Sequence, residues 1–271
     1  MYISLERESS PVDWCEDNYV VSPYIAEFVN TISNVLFLVL PPVLMSLHKP
    51  YANKCGKGIH IVWFLLIVVG LSSAYFHATL SLLGQLLDEM AILWVIMAGF
   101  SLWYPRAALP PSWREDPEGR RKFSVVCMLG ATLATFLGFL QPVVNAFFLF
   151  TLSVPASVLL ALQLKVENDV RVVSLGKRSI LLWSLAIFCW VNDRLFCEFW
   201  SGIGFPYLHG FWHVLIFLAS YTAIVLFAYF EVKNHIPGES PILRYYPVDE
   251  WQFGIPYVIL DQPKLTNGKH H

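Results

Sequence analysis

His77 lies within the apolar run from Ile59 to Leu80, and His209 and His213 lie within the run from Tyr207 to Phe230. Ionisable side chains inside a bilayer are costly, and they face partners or a water-filled cavity. Two histidines at i and i+4 share one helix face. Imidazole nitrogen is a favoured zinc ligand, and a catalytic zinc site uses three protein ligands with one position left for water. His77, His209 and His213 supply that ligand count, which points to hydrolysis inside a membrane. A lone histidine would more often hydrogen-bond a neighbouring helix. An HxxxH pair with a third histidine at the same depth favours metal.

Two more residues fall near this layer. Ser73 is one turn before His77 on the same face, where its hydroxyl could donate to a developing oxyanion. The plainer alternative is a serine bonded back to its own helix. Asp88 could orient or deprotonate a water, or hold a ligand histidine from behind. Its plainer alternative is a charge at a helix N-terminus, favoured by the dipole. Glu89 points elsewhere on that helix, and Asp193 with Arg194 reads as a local ion pair or loop anchor.

The elements that must position these groups are apolar helices. Of 271 residues, 56% are hydrophobic and 14% are charged, against about 25% charged in a soluble domain. The chain reads as an all-α, polytopic membrane protein of one domain. No basic stripe marks a nucleic-acid partner, and no obligate protein partner is evident. The first residues, including Glu6, Arg7 and Glu8, lack an apolar core, so no cleavable signal is expected and the first span must target the chain.

Seven runs of about 18 to 22 residues are long enough to span a bilayer. They are Phe28–Leu47, Ile59–Leu80, Leu87–Tyr104, Phe123–Leu140, Ala146–Leu164, Ser179–Cys197 and Tyr207–Phe230. Pro41 and Pro42 are expected to kink the first. This divides the chain into an N-terminal segment 1–27, a seven-helix bundle 28–230 and a tail 231–271. Every Lys and Arg except Arg7 and Arg194 falls after span one, three, five or seven. Basic loops stay in the cytosol. The N-terminus is therefore expected in the lumen and the C-terminus in the cytosol. Ser73, His77, Asp88, His209 and His213 then share one layer near the lumenal surface. The short link from Ser81 to Leu86 makes spans two and three antiparallel neighbours.

Only Cys15 and Cys197 fall on the oxidising lumenal side, where they can form a disulfide or remain two free thiols. His48, His60, His235, His270 and His271 lie in loops, in tails or at the cytosolic side and are expected to be solvated. The N-terminal segment carries Asp13, Trp14, Cys15, Glu16, Asp17 and Asn18, with Glu27 at the entrance to span one. Carboxylates, an amide and backbone carbonyls are hard ligands suited to calcium, although the spacing is not that of an EF-hand loop. On the residues alone, a solvated acidic turn is the more common reading.

The chain resembles the alkaline ceramidase family. The resemblance is carried by Asp13-Trp14-Cys15-Glu16 with Asn18, and by Ala26-Glu27-Phe28 with Asn30-Thr31 and Ser33-Asn34. It continues through Tyr75-Phe76-His77-Ala78-Thr79-Leu80 and Gly84-Gln85-Leu86-Leu87-Asp88-Glu89. It ends with Trp190, Asp193-Arg194, Tyr207-Leu208-His209 and Trp212-His213. It runs from about Val12 to Val258. It implies a seven-span, zinc-dependent amidase that cleaves ceramide to a sphingoid base and a fatty acid. The family's zinc ligands fall on His77, His209 and His213, and its catalytic Ser and Asp on Ser73 and Asp88. Its calcium ligands fall on Asp13, Trp14 (through the backbone carbonyl), Glu16, Asn18 and Glu27. That reverses the plainer reading of the acidic loop. The expected surroundings are membrane lipids and related sphingolipids, in the endoplasmic reticulum or, alternatively, the Golgi.

A seven-span receptor similar to the adiponectin and progestin receptor group is the alternative; it also carries intramembrane zinc. Its expected orientation is opposite, which the basic residues oppose. A histidine relay for metal or protons would need polar residues through to the cytosolic side, and the spans below the histidine layer are almost wholly apolar.

Overall fold

In lipid every backbone polar group must be satisfied internally, and a helix does this within one segment. The computed structural model describes residues 4–141 and 143–261. It orders them as α1 (Phe28–Ile32), α2 (Val35–Leu47), α3 (Lys49–Cys55), α4 (Gly58–Thr79), α5 (Leu82–Trp103), α6 (Pro111–Arg114), α7 (Gly119–Leu140), α8 (Val143–Lys165), α9 (Val170–Leu195), α10 (Cys197–Gly202) and α11 (Leu208–His235). Two strands follow, β1 (Ser240–Tyr246) and β2 (Ile255–Asp261).

Among the described residues, six helices are long and apolar enough to cross a membrane: α1 with α2, then α4, α5, α7, α9 and α11. The place of the fifth expected span is taken by α8, whose described apolar stretch is the shorter Thr151–Lys165. Leu129, Leu133, Phe136, Leu181 and Phe188 are exposed on the outside of the bundle, as a lipid-facing surface requires. The first expected span is broken at Ser33–Asn34, and Pro41 and Pro42 lie inside α2 without ending it.

Helices α4 and α5 form the hairpin expected of spans two and three. Leu80 ends α4 in the left-handed region at φ 49, and the Ser81 hydroxyl accepts from the Gly84 N–H at 3.1 Å to cap α5. A two-residue turn is possible because a side chain on Gly84 would meet the Phe76 backbone at 2.8 Å. The main core joins α2, α4 and α11 through Phe37, Trp63, Leu66, Phe217 and Val225, all buried. Burying apolar side chains does not separate helices from lipid tails, so close packing must hold these contacts. Gly70 shows this: a Cβ there would lie 2.4 Å from that of Phe37.

Beyond α11, residues 240–261 form a folded cap. β1 and β2 pair antiparallel from Ser240↔Asp261 to Tyr246↔Ile255. Leu243, Tyr245 and Val258 are buried and join the main core. Asp249 in the connecting turn accepts from Arg171 at 2.6 Å and Arg244 at 2.7 Å. The basic end of the bundle is laced by Arg120–Glu231, Lys233–Glu167 and Lys54–Glu239 pairs.

Of the histidines expected in water, one is buried and two are only partly exposed. His48 is fully buried, its Nδ1 set 2.9 Å from the Leu44 carbonyl and its ring against Trp63. Burial pushes its pKa down to about 4. The cause is that the chain continues helically through His48 into α3 instead of leaving as a loop, with the ring set against Trp63 of α4. His60 is half-buried on the first turn of α4. His235 lies against Glu231 at 3.1 Å, within the ion cluster of the basic end. His270 and His271 fall outside the described residues.

Candidate functional site

The site lies at the end of the bundle opposite the basic loops. His77 comes from the last turn of α4, and His209 and His213 from the first turns of α11. All three are buried, with one ring nitrogen of each lying within 4.8 Å of the others. Among the described residues this is the one group of three metal-type side chains that closes so tightly.

Hydrogen bonds from behind leave the right nitrogens free. The Glu27 carboxylate takes Nδ1 of His77, leaving Nε2 buried with no hydrogen-bond partner. Ser33 Oγ takes Nδ1 of His213 at 2.7 Å, leaving Nε2 to face Ser73 Oγ at 3.4 Å. Nδ1 of His209 is likewise buried and unpartnered. Buried polar atoms are seldom left this way. Two buried unpartnered imidazole nitrogens and a third that meets only Ser73, with the His77 and His213 rings aimed by outer partners, fit a divalent zinc ion.

The ring of His209 is sandwiched by aromatics. Trp14 stacks on it with centroids 3.6 Å apart, and Trp212 lies 4.9 Å away on a near-parallel plane. The backbone N–H of His209 donates to Asp193 Oδ1 at 3.1 Å. The other oxygen of Asp193 accepts from the Cys15 N–H at 3.1 Å. Asp193 thus ties the N-terminal loop to the start of α11. Arg194 adds a bond to the Asp13 carbonyl at 3.0 Å and lies over the Trp14 ring. This is the loop anchor expected of the pair.

Ser73 is buried on α4, and Asp88 is half-buried in the second turn of α5 with its carboxyl facing the Ser73 hydroxyl. Glu89 is engaged elsewhere. It accepts from Gln85 at 2.8 Å and Asn145 at 3.0 Å, linking α5 to α8.

The acidic loop folds directly above. Glu16 caps α1 from a distance, its two oxygens accepting from the Val29 and Asn30 N–H groups at 2.6 and 2.8 Å. Glu27 Oε1 accepts the Trp14 N–H at 3.0 Å, while its other oxygen serves His77. Asn18 donates to Asp13 at 3.3 Å, and its own Oδ1 is buried without a partner. Burial pushes the Glu27 carboxyl up to about 7. Burial, and then the nearby Glu27 charge, raises that of Asp13. The Glu16 carboxyl is also raised, by burial first. Mutually repelling carboxylates beside an orphaned amide oxygen are a donor set that suits a hard cation. The set is looser than the histidine trio. Cys15 and Cys197 are joined as a disulfide, fastening the loop to the start of α10.

Sequence reasoning missed Ser33, the bond of Glu27 to His77, and the double role of Asp193. Ser33 gives no local signal. Asp193 did give one, as a carboxylate at the end of an apolar run.

Comparison with known proteins identifies the family. The Ceramidase family model matches residues 6–259. An alkaline ceramidase of Drosophila melanogaster is 56% identical over 259 residues, covering 96% of this chain and 90% of the relative. Alkaline ceramidase 1 of Homo sapiens is 40% identical over 251 residues, covering 93% and 94%. An alkaline ceramidase of Caenorhabditis elegans is 34% identical over 256 residues, covering 92% and 93%. With a family model spanning nearly its whole length and relatives at these identities, the chain belongs to the alkaline ceramidase family.

Proposed function

We propose that this protein hydrolyses the amide bond of ceramide within the membrane, releasing a sphingoid base and a free fatty acid. The observation that carries the reading is the convergence of three buried imidazoles beside Ser73 and Asp88. His77, His209 and His213 would hold zinc. When bound, zinc supplies Lewis acidity, which brings the pKa of water towards neutrality and polarises a carbonyl.

This chain's own residues do the rest. The carboxylate of Asp88 accepts a proton from the attacking water and returns it to the leaving nitrogen, the two halves of general acid–base catalysis. The Ser73 hydroxyl donates a hydrogen bond to the amide oxygen as negative charge develops there. Trp14 and Trp212 hold the His209 ring in place and cover it. Glu27 and Ser33 fix the tautomers of His77 and His213. Ceramide's two chains lie in the apolar bundle while its amide reaches the histidine layer.

Asp13, the Trp14 carbonyl, Glu16, Asn18 and Glu27 would hold calcium. Its charge would offset the repulsion among the carboxylates and fix the loop over the site. We place seven spans in the bilayer, with α8 as the fifth, the N-terminus lumenal and the C-terminus cytosolic. The compartment is the endoplasmic reticulum, with the Golgi as the alternative.

The deciding test is fatty-acid release from a defined ceramide by purified protein, with His213→Ala beside wild type. Turnover by wild type, lost in the variant together with bound zinc, is the expected result. A folded, zinc-loaded wild type with no turnover across alkaline pH in the presence of calcium would sink the reading.

A further inference from the structure

At the end of the bundle far from the histidines, a cleft of about 480 Å³ opens between α2, α3 and the hairpin. Ser46, Lys49, Asn53, Lys54, Glu239 and Leu260 line it. Lys49 and Asn53 are one turn apart and share a face of α3. Lys54 donates to Glu239 Oε1 at 2.7 Å, while Oε2 is buried with no partner. The cleft therefore has two ammonium groups and the Glu239 carboxylate, whose Oε2 is tucked away from solvent without a partner. An occupant should bring negative charge for Lys49 and a hydrogen-bond donor for Glu239.

The cleft also continues an apolar track. Ile32, Val35, Val39, Pro42, Ser46 and Lys49 are all exposed. They recur at the three- and four-residue spacing that places them on one face. The track is lipid-facing along its upper part and becomes polar at Ser46. From Val35 to Ser46 a helix rises about 16 Å, comparable to one leaflet's hydrocarbon depth of about 15 Å. A soluble ligand would have no use for that stripe.

We propose that this cleft is a binding site for the headgroup of an aminophospholipid, with one acyl chain laid along the exposed stripe of α2. The phosphate is held by Lys49 and Asn53, with Ser46 at the glycerol level. The ammonium donates to the Glu239 carboxylate, which turns to bring Oε2 out of its buried position and into the cleft. A phosphatidylethanolamine headgroup meets both demands. The quaternary ammonium of phosphatidylcholine has no N–H to give, so it leaves the carboxylate oxygen unpartnered. The site is independent of the hydrolytic reading, and its test reads no turnover.

Native mass spectrometry of the full-length protein in detergent tests it, with added phosphatidylethanolamine, phosphatidylcholine or free O-phosphoethanolamine. Wild type is expected to retain one phosphatidylethanolamine, preferred over phosphatidylcholine by about tenfold, the worth of one charge-assisted hydrogen bond. Lys49→Glu with Asn53→Ala should lose retention of both lipids. Glu239→Gln should lose the preference while still retaining lipid. Equal retention of the two lipids by wild type would overturn the proposal. So would a preference that survives all of these substitutions, or binding of O-phosphoethanolamine as tight as that of the lipid.

Discussion

Ser33 and Glu27 each hold a histidine ring from the side facing away from the other two imidazoles. Outer partners of this kind typically govern metal affinity by about 10- to 100-fold. Ser33→Ala is therefore expected to weaken zinc retention by about that factor, measured by competition with a chromogenic chelator. Unchanged retention would mean the bond to His213 is incidental. Glu27→Gln should do more, because its two oxygens face two different sites. Zinc and calcium content measured on the same purified sample should fall together, whereas Asp13→Asn should lower calcium alone. The histidine trio was legible in the sequence because an ionisable group in an apolar run has few bland explanations. Ser33 was not, since a serine in an apolar run is ordinary until its tertiary neighbour is known. His48 misled for the converse reason: its position after an apolar run looks like a loop, but the chain continues helically into α3 and the ring packs against Trp63 of α4.

At the level of elements, the N-terminal loop is held by the Cys15–Cys197 bond, by Asp193 and by Arg194. The bond closes a separation of 182 residues. The chain-entropy model assigns such a loop up to about 5 kcal/mol, an upper bound where the unfolded chain stays in a membrane. Cys15→Ser with Cys197→Ser is expected to lower Tm and to raise the calcium needed for half-maximal activity. Loss of stability alone, with the calcium response unchanged, would mean the bond has no part in holding the loop. The hairpin makes a separate case. The Arg171 guanidinium holds the Asp249 carboxyl well below its ordinary value of 3.8. A folded value below the unfolded one contributes stability at higher pH and loses it as pH falls through the folded value. The Tm gap between wild type and Asp249→Asn should be flat above about pH 5 and narrow towards acid. A gap that widens in acid would contradict the assignment. The hairpin itself was hidden in the sequence. Pro241 and Pro256 interrupt both strands, and the pairing depends on Leu243, Tyr245 and Val258 meeting a helix surface that only the assembled bundle provides.

On the scale of the whole molecule, the placement of basic residues and the apolar runs made the bundle readable, because a bilayer imposes both. Six of the seven expected spans were legible as lengths; the break between α1 and α2 was not, because Ser33 and Asn34 interrupt the helix without interrupting the hydropathy. The proposed sidedness can be checked with single cysteines at Glu115 and Gly202, both exposed, in a background with Cys55, Cys127 and Cys189 changed to Ser. In sealed microsomes an impermeant maleimide is expected to label Glu115→Cys at once and Gly202→Cys only after permeabilisation. The opposite pattern would overturn the proposed orientation. The division of the trio between α4 and α11 also sets an order in time. A ribosome that has delivered α4 and α5 to the membrane has made Ser73, His77 and Asp88, yet only one of the three imidazoles. The other two emerge with the last long helix. The nascent chain is thus expected to stay inert towards the lipid around it until translation is nearly complete, and a product cut short before α11 should be inserted, helical and silent.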